Sequence, residues 1–123
     1  MPTRKTYFID FEAPSLSHDS WPIEIAWGND INAIESYLIS PETIRHWTDW
    51  SNPSQKIHGI PHEELIEYGD VPGLVCEKIY AALDNQLVYS DTPAFNMDWL
   101  RKLFDGASLP MPDFIIKDID ALS

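Results

Sequence analysis

Apolar and polar positions alternate with period two in short runs near the N-terminus and recur at helical spacing further on. The run Tyr7-Phe8-Ile9-Asp10-Phe11-Glu12 is rich in strand formers and predicts a first strand over 6–12. Residues 13–20 carry Pro14, three serines and Asp19 and read as a loop. A second strand is predicted over 21–27, with Ile23 and Ile25 on one face, Glu24 on the other and Pro22 near its start. Gly28-Asn29-Asp30 is a turn. Residues 31–39 then alternate Ile34, Ser36 and Leu38 against Glu35, Tyr37 and Ile39, so strands two and three read as a hairpin.

Residues 40–69 show little periodicity and hold His46, Trp47, Trp50, His58 and His62. A loop of that length is usually functional. A helix capped by Asp70 follows, with Pro72 in its first turn and an apolar face of Val71, Leu74, Val75, Ile79, Ala82 and Leu83. Asp84-Asn85 ends it. A short buried strand over 86–90 comes next. A second helix over 94–104 is opened by Thr92 and Pro93 and closed by Asp105-Gly106, and a last strand covers 114–119. The order β-β-β-α-β-α-β predicts an α/β fold: a mixed β-sheet flanked by helices, with the first strand near its centre.

The first strand also carries candidate chemistry. Asp10 and Glu12 share a face, roughly 7 Å apart along the strand. Two acids on an otherwise apolar strand are costly unless something pairs with them. One reading is a divalent cation, since hard cations take carboxylate oxygens. The other is an edge strand whose acids face water.

Composition narrows the classes. The chain has 123 residues, the size of one ordinary domain, and 44% of them are hydrophobic, enough for a core. Eight basic residues against 20 acidic ones give a net charge of −12. That argues against binding long nucleic acid by charge alone. It leaves room for meeting a short nucleic-acid end through metal ions, which invert the local charge logic. Cys76 is the lone cysteine, so no internal disulfide forms, and it reads as a small core residue. Near the N-terminus, Arg4, Lys5, Asp10 and Glu12 interrupt any signal-like apolar stretch, and no run is long enough to span a membrane. The expected setting is the cytoplasm, with no membrane partner.

Four segments, in order, carry a more specific signal. Ile9-Asp10-Phe11-Glu12-Ala13-Pro14-Ser15-Leu16 resembles the first motif of the DEDD 3′-to-5′ exonucleases. Pro22-Ile23-Glu24-Ile25 is similar to the strand that follows it there. The run from Ile57 to Leu65 (IHGIPHEEL) resembles that family's loop before the first helix. The run from Ser90 to Leu100 (SDTPAFNMDWL) falls where its second motif belongs. The resemblance implies a ribonuclease H-like sheet and a single exonuclease-like domain over 1–123. It implies two-metal phosphodiester hydrolysis with Mg²⁺ or Mn²⁺ at the 3′ end of single-stranded DNA, short RNA or an oligonucleotide. Asp10 and Glu12 would hold metal, while Phe11, Ala13, Leu16, His58, Ile60 and Phe95 would line the substrate.

Two departures follow from the same comparison. Where the second motif has a metal-binding Asp, this chain has Asn96. An amide oxygen still ligates, so Asn96 stays a catalytic candidate, but it brings no charge. Asp98 is a further metal candidate, yet two positions along a helix turn a side chain roughly 200° away. The third motif lies on a helix after the last strand, and the sequence stops at Ser123, so that C-terminal helix is expected to be missing or truncated. Apolar surface it would cover is then exposed, and a homodimer or an added chain would shield it. Two readings stand: a metal-dependent 3′-to-5′ exonuclease, or a degenerate exonuclease-fold protein that binds nucleic acid or protein.

Overall fold

A computed structural model of the chain describes residues 4–13, 20–30, 32–47 and 59–122. Strand β1 (Thr6–Glu12) lies at the middle of a five-stranded sheet with the order β3-β2-β1-β4-β5. It pairs antiparallel with β2 (Glu24–Gly28) and parallel with β4 (Leu87–Ser90). On the flanks, β3 (Ile34–Leu38) runs antiparallel to β2, and β5 (Ile116–Asp118) runs parallel to β4. This is the predicted α/β fold with a mixed sheet, with its most strand-prone segment at the centre.

Alternation then decides the two faces. Ile9 and Phe11 of β1 point the same way as Ile25 and Trp27 of β2, Val88 of β4 and Ile116 of β5, and all six are buried. Helices α1 (His62–Tyr68), α2 (Pro72–Leu83) and α3 (Pro93–Gly106) complete that core. In α3 the buried positions are Asn96, Trp99, Leu100, Leu103 and Phe104, the i, i+3, i+4, i+7, i+8 stripe of a core-facing helix. Each large side chain so buried contributes about 1.5–3 kcal/mol. The opposite side of β1, with Phe8 and Asp10, is exposed. No helix among the described residues is long and apolar enough to cross a membrane.

Several boundaries differ from the sequence reading. Residues 62–68 form a helix where a loop is expected. It is short, has no side-chain cap and buries only Leu65, so it leaves almost no periodic trace. Asp70 does not cap α2. Its backbone bonds to Leu38 and Ser40, which ties the entry of α2 to the end of β3. The helix starts at Pro72, and its buried stripe is Val75, Cys76, Ile79 and Leu83, while Val71 and Leu74 are exposed. Helix α3 runs through Asp105 and Gly106 rather than stopping before them. Strand β2 starts three residues later than expected because Trp21, Pro22 and Ile23 form a buried approach. The Ile23 N–H bonds back to the Glu12 carbonyl. The last strand is trimmed to Ile116–Asp118 and runs into a 3₁₀ turn, Ile119–Leu122.

An aromatic pair fixes residues 44–47 against the approach to β2 and the end of α3. Trp21 and Trp47 stack with centroids 5.5 Å apart and planes within 9°. Trp47 in turn lies against the end of α3, where a Cβ on Gly106 would come within 2.7 Å of its ring and 2.8 Å of Ile44. Helix preference alone would favour Gly106→Ala by up to about 1 kcal/mol. The contact reverses the sign: Gly106→Ala is expected to lower stability by about 1–3 kcal/mol in urea unfolding, because the Trp47 stack must give way.

Candidate active site

The site is built where β1 and β4 part. Their parallel ladder runs from Thr6–Leu87 to Phe8–Tyr89 and ends as β4 gives way to the turn before α3. Beyond that point β1 continues to Glu12 with only β2 as a strand partner. The carboxyl ends of the strands in an open α/β sheet are where ligands ordinarily sit. Asp10 and Glu12 project there, because Ile9 and Phe11 take the core side.

Two more acids join them. Glu24 sits directly across the β1–β2 pair from Glu12, and Asp91 immediately follows β4. The Asp10 carboxyl is held above its usual range by burial and by the Asp91 charge, partly offset by hydrogen bonding from Asn96 and the Phe11 N–H. Glu12 is raised by burial and by the charges of Asp10 and Glu24. Glu24 is raised by burial and by Asp10. All three shifts have one sense: burial is the larger cause, and neighbouring carboxylates add to it.

Asn96 anchors the site from the helix side and is only 2% exposed. Its Oδ1 accepts the Phe11 N–H at 3.3 Å. Its Nδ2 donates to Ser90 Oγ at 2.5 Å and lies 3.4 Å from Thr92 Oγ1. Ser90 Oγ also accepts the Thr92 N–H at 2.9 Å. Asn96 thus supplies the acceptor that β4 no longer offers to β1, and both ends of its amide are in use.

The remaining candidates are dispersed. The Phe11 side chain is buried in the core, on the face opposite Asp10 and Glu12. Ile60 is a core residue at 8% exposure, and Ala13 packs against the core as β1 ends. Phe95 is 59% exposed in the first turn of α3. Asp98 is exposed and bonded to Arg101 at 3.1 Å, and it is not among the acids acting on Asp10 or Glu12. Leu16 and His58 lie outside the described residues. The sequence reading passed over Ser90 as a site residue and placed Glu24 only on a strand face. The signals for Glu24 are its opposition to Ile23 and Ile25 within the hairpin and its place in the Pro22-Ile23-Glu24-Ile25 segment.

A hard divalent cation fits this donor set in kind. Carboxylate oxygens suit it, and its charge would relieve the repulsion among Asp10, Glu12, Glu24 and Asp91. The described residues bring no three His, Cys, Asp or Glu ligands together. Mg²⁺ is commonly held by one or two carboxylates plus water and substrate phosphates, and Asp10 and Glu12 are the residues that would hold it here.

No protein family matches the sequence, and no curated protein does. Solved structures do match in fold. A product-bound exonuclease I superimposes with a TM-score of 0.75 over 98% of this chain, at 14% identity. Escherichia coli exonuclease I in complex with a dT13 oligonucleotide gives 0.65 over 84% of this chain, at 16% identity. Exonuclease I from Methylocaldum szegediense gives 0.69 over 83%, also at 16% identity. The chain spans only 31%, 24% and 23% of those proteins respectively. The fold is exonuclease-like and of the ribonuclease H type.

Two predictions follow from the charges. Because the folded state raises these carboxyl groups, it binds more protons than the unfolded chain between the usual carboxylate range and the raised values. Stability from this source therefore falls as pH rises through that window and stays reduced above it. Asp10→Asn is expected to raise the urea midpoint at neutral pH and to lose that advantage near about pH 3, where the unfolded Asp is protonated as well. Asn96→Asp places a buried charge near Asp10 and removes the donor to Ser90. It is expected to cost about 3–5 kcal/mol without added metal. Millimolar Mn²⁺ should recover more stability in this variant than in the native protein, as read by thermal melts.

Proposed function

We propose that the protein is a metal-dependent nuclease that removes nucleotides from the 3′ ends of single-stranded DNA or short RNA. The observation that carries the reading is the pair Asp10 and Glu12 at the open end of the central strand of an exonuclease I-like fold. Structures of exonuclease I with a dT13 oligonucleotide support single-stranded DNA as the substrate class.

The residues divide the work. Asp10 and Glu12 hold Mg²⁺ or Mn²⁺ and gather the negative charge that makes the site bind it. A divalent ion bound there supplies positive charge to phosphoryl oxygens and lowers the pKa of a bound water. Asn96 and Ser90 fix the β1 backbone, so the two carboxylates keep their separation as the charge nearby changes. Phe95 offers an exposed ring in the first turn of α3, on which a base of any identity would stack. With −12 on the chain, an anionic substrate reaches this site only when cations neutralise it.

The engaged amide of Asn96 favours a second reading, in which the protein binds 3′ ends without cutting them. Its Oδ1 already accepts the Phe11 N–H, so ligating a metal would give up that bond.

A time course with 5′-labelled single-stranded DNA and RNA oligonucleotides in Mn²⁺ separates the two. The expected result is a ladder shortening from the 3′ end that disappears in Asp10→Ala. Phe95→Ala should weaken oligonucleotide binding about tenfold, the loss of one stacked base. No ladder from native protein that still binds the oligonucleotide would replace hydrolysis by the binding reading, and neither cleavage nor binding would remove both.

A further inference from the structure

The β3–β2–β1 half of the sheet face opposite the helices forms a trough. Its floor is Ala26 of β2, and at Gly28 the Ile34 side chain leans over the strand, where a Cβ would lie 3.0 Å from Ile34 Cγ1. Its walls are Phe8 of β1 and Ile34 of β3, which flank Gly28 in register and are 41% and 60% exposed. The cleft along this trough measures about 360 Å³. Asp10 and Asp30 border it, and its lining includes no cationic side chain. No described helix packs on this face, and a sheet normally buries an apolar face under a second layer.

The geometry points to this trough as the docking site for an amphipathic helix of another protein, with an apolar stripe flanked by Lys or Arg. The shape selects a helix. Large apolar side chains at i, i+3, i+4 and i+7 would pack on Ala26 and against the exposed Phe8 and Ile34 side chains. An added strand would instead use the free backbone edge of β3 and leave the trough empty. The charge selects the partner. A second copy would bring its own −12 and the same acids against Asp10 and Asp30, whereas a cationic rim complements them.

The test uses the full chain and two synthetic 18-residue capped helical peptides of Leu and Ala. They share one Leu stripe and carry either Lys or Glu on its flanks. Backbone amide shifts in nitrogen-15 NMR spectra report where each binds. The Lys peptide is expected to perturb residues in and beside the trough, such as Phe8, Ala26, Gly28 and Ile34, and the Glu peptide is not. Ile34→Asp alters an exposed side chain and should weaken binding at least about tenfold. Asp30→Asn should weaken it severalfold and raise sensitivity to salt less than the native charge does. Thermal melts verify that both variants fold. Absence of shifts at the trough overturns the proposal, as do shifts scattered over the acidic surface that survive Ile34→Asp. A dimer through this face, broken by Ile34→Asp in sedimentation, replaces the helix by a second copy. The readout is binding, so presence or absence of nuclease activity does not enter it.

Discussion

The amide of Asn96 ties together the three elements on which the site depends. Where β4 ends, the N–H of Phe11 would lose its acceptor, and an unsatisfied backbone donor that is buried costs about 1–3 kcal/mol. Asn96 Oδ1 takes that place, and Nδ2 reaches Ser90 at the last residue of β4. One buried side chain on α3 thereby fixes the divergence of two strands. The opening between them exists because the ladder stops, and it keeps its shape because the side chain closes the hydrogen-bond account there.

The same arrangement explains the concentration of charge. Divergence of the strands brings Asp91 from the end of β4 near Asp10, and antiparallel register sets Glu24 opposite Glu12. Neither approach is relieved by a basic side chain among the causes acting on these groups, and each raises its neighbour's pKa. The fold tolerates the repulsion because the core on the other face is extensive and apolar, from Ile9 through Leu100 to Phe104. Surplus negative charge at the mouth of a sheet is the condition under which a divalent cation binds for its charge rather than for a closed cage of ligands.

How much of this could be read from the sequence depends on how local each signal was. Strand β1 and the shared face of Asp10 and Glu12 follow from alternation within seven residues, and the structure has both as expected. The hairpin and the central place of β1 were also legible, since turn chemistry and strand propensity are local. Helix α1 was not, because seven residues with one buried leucine and no cap leave no period to detect. The face of α2 was legible in part: Val75, Ile79, Leu83 and the core Cys76 are buried as expected, while Val71 and Leu74 are exposed. Pro72 starts the helix, so Cys76 takes the inward place and Leu74 the outward one. Ser90 was passed over, and the pairing of Glu24 with Glu12 was illegible for a different reason. It depends on which strands pair and in what register, and both are settled by contacts distant in sequence.

Asp10 belongs to two environments at once. It stands among the carboxylates at the end of β1, and it borders the apolar trough on the exposed side of the sheet. Whatever fills the trough also removes water from Asp10. An apolar occupant alone would raise the cost of its charge and favour the protonated form, which binds metal poorly. A cationic rim would lower that cost and keep the carboxylate ionised, while competing for the charge that attracts the metal. The balance would turn on where such a cation stood: near Asp30 it would leave the Asp10 carboxylate free, and beside Asp10 it would pair with it. Covering the sheet and charging the site are therefore one problem in this fold, joined at a single side chain.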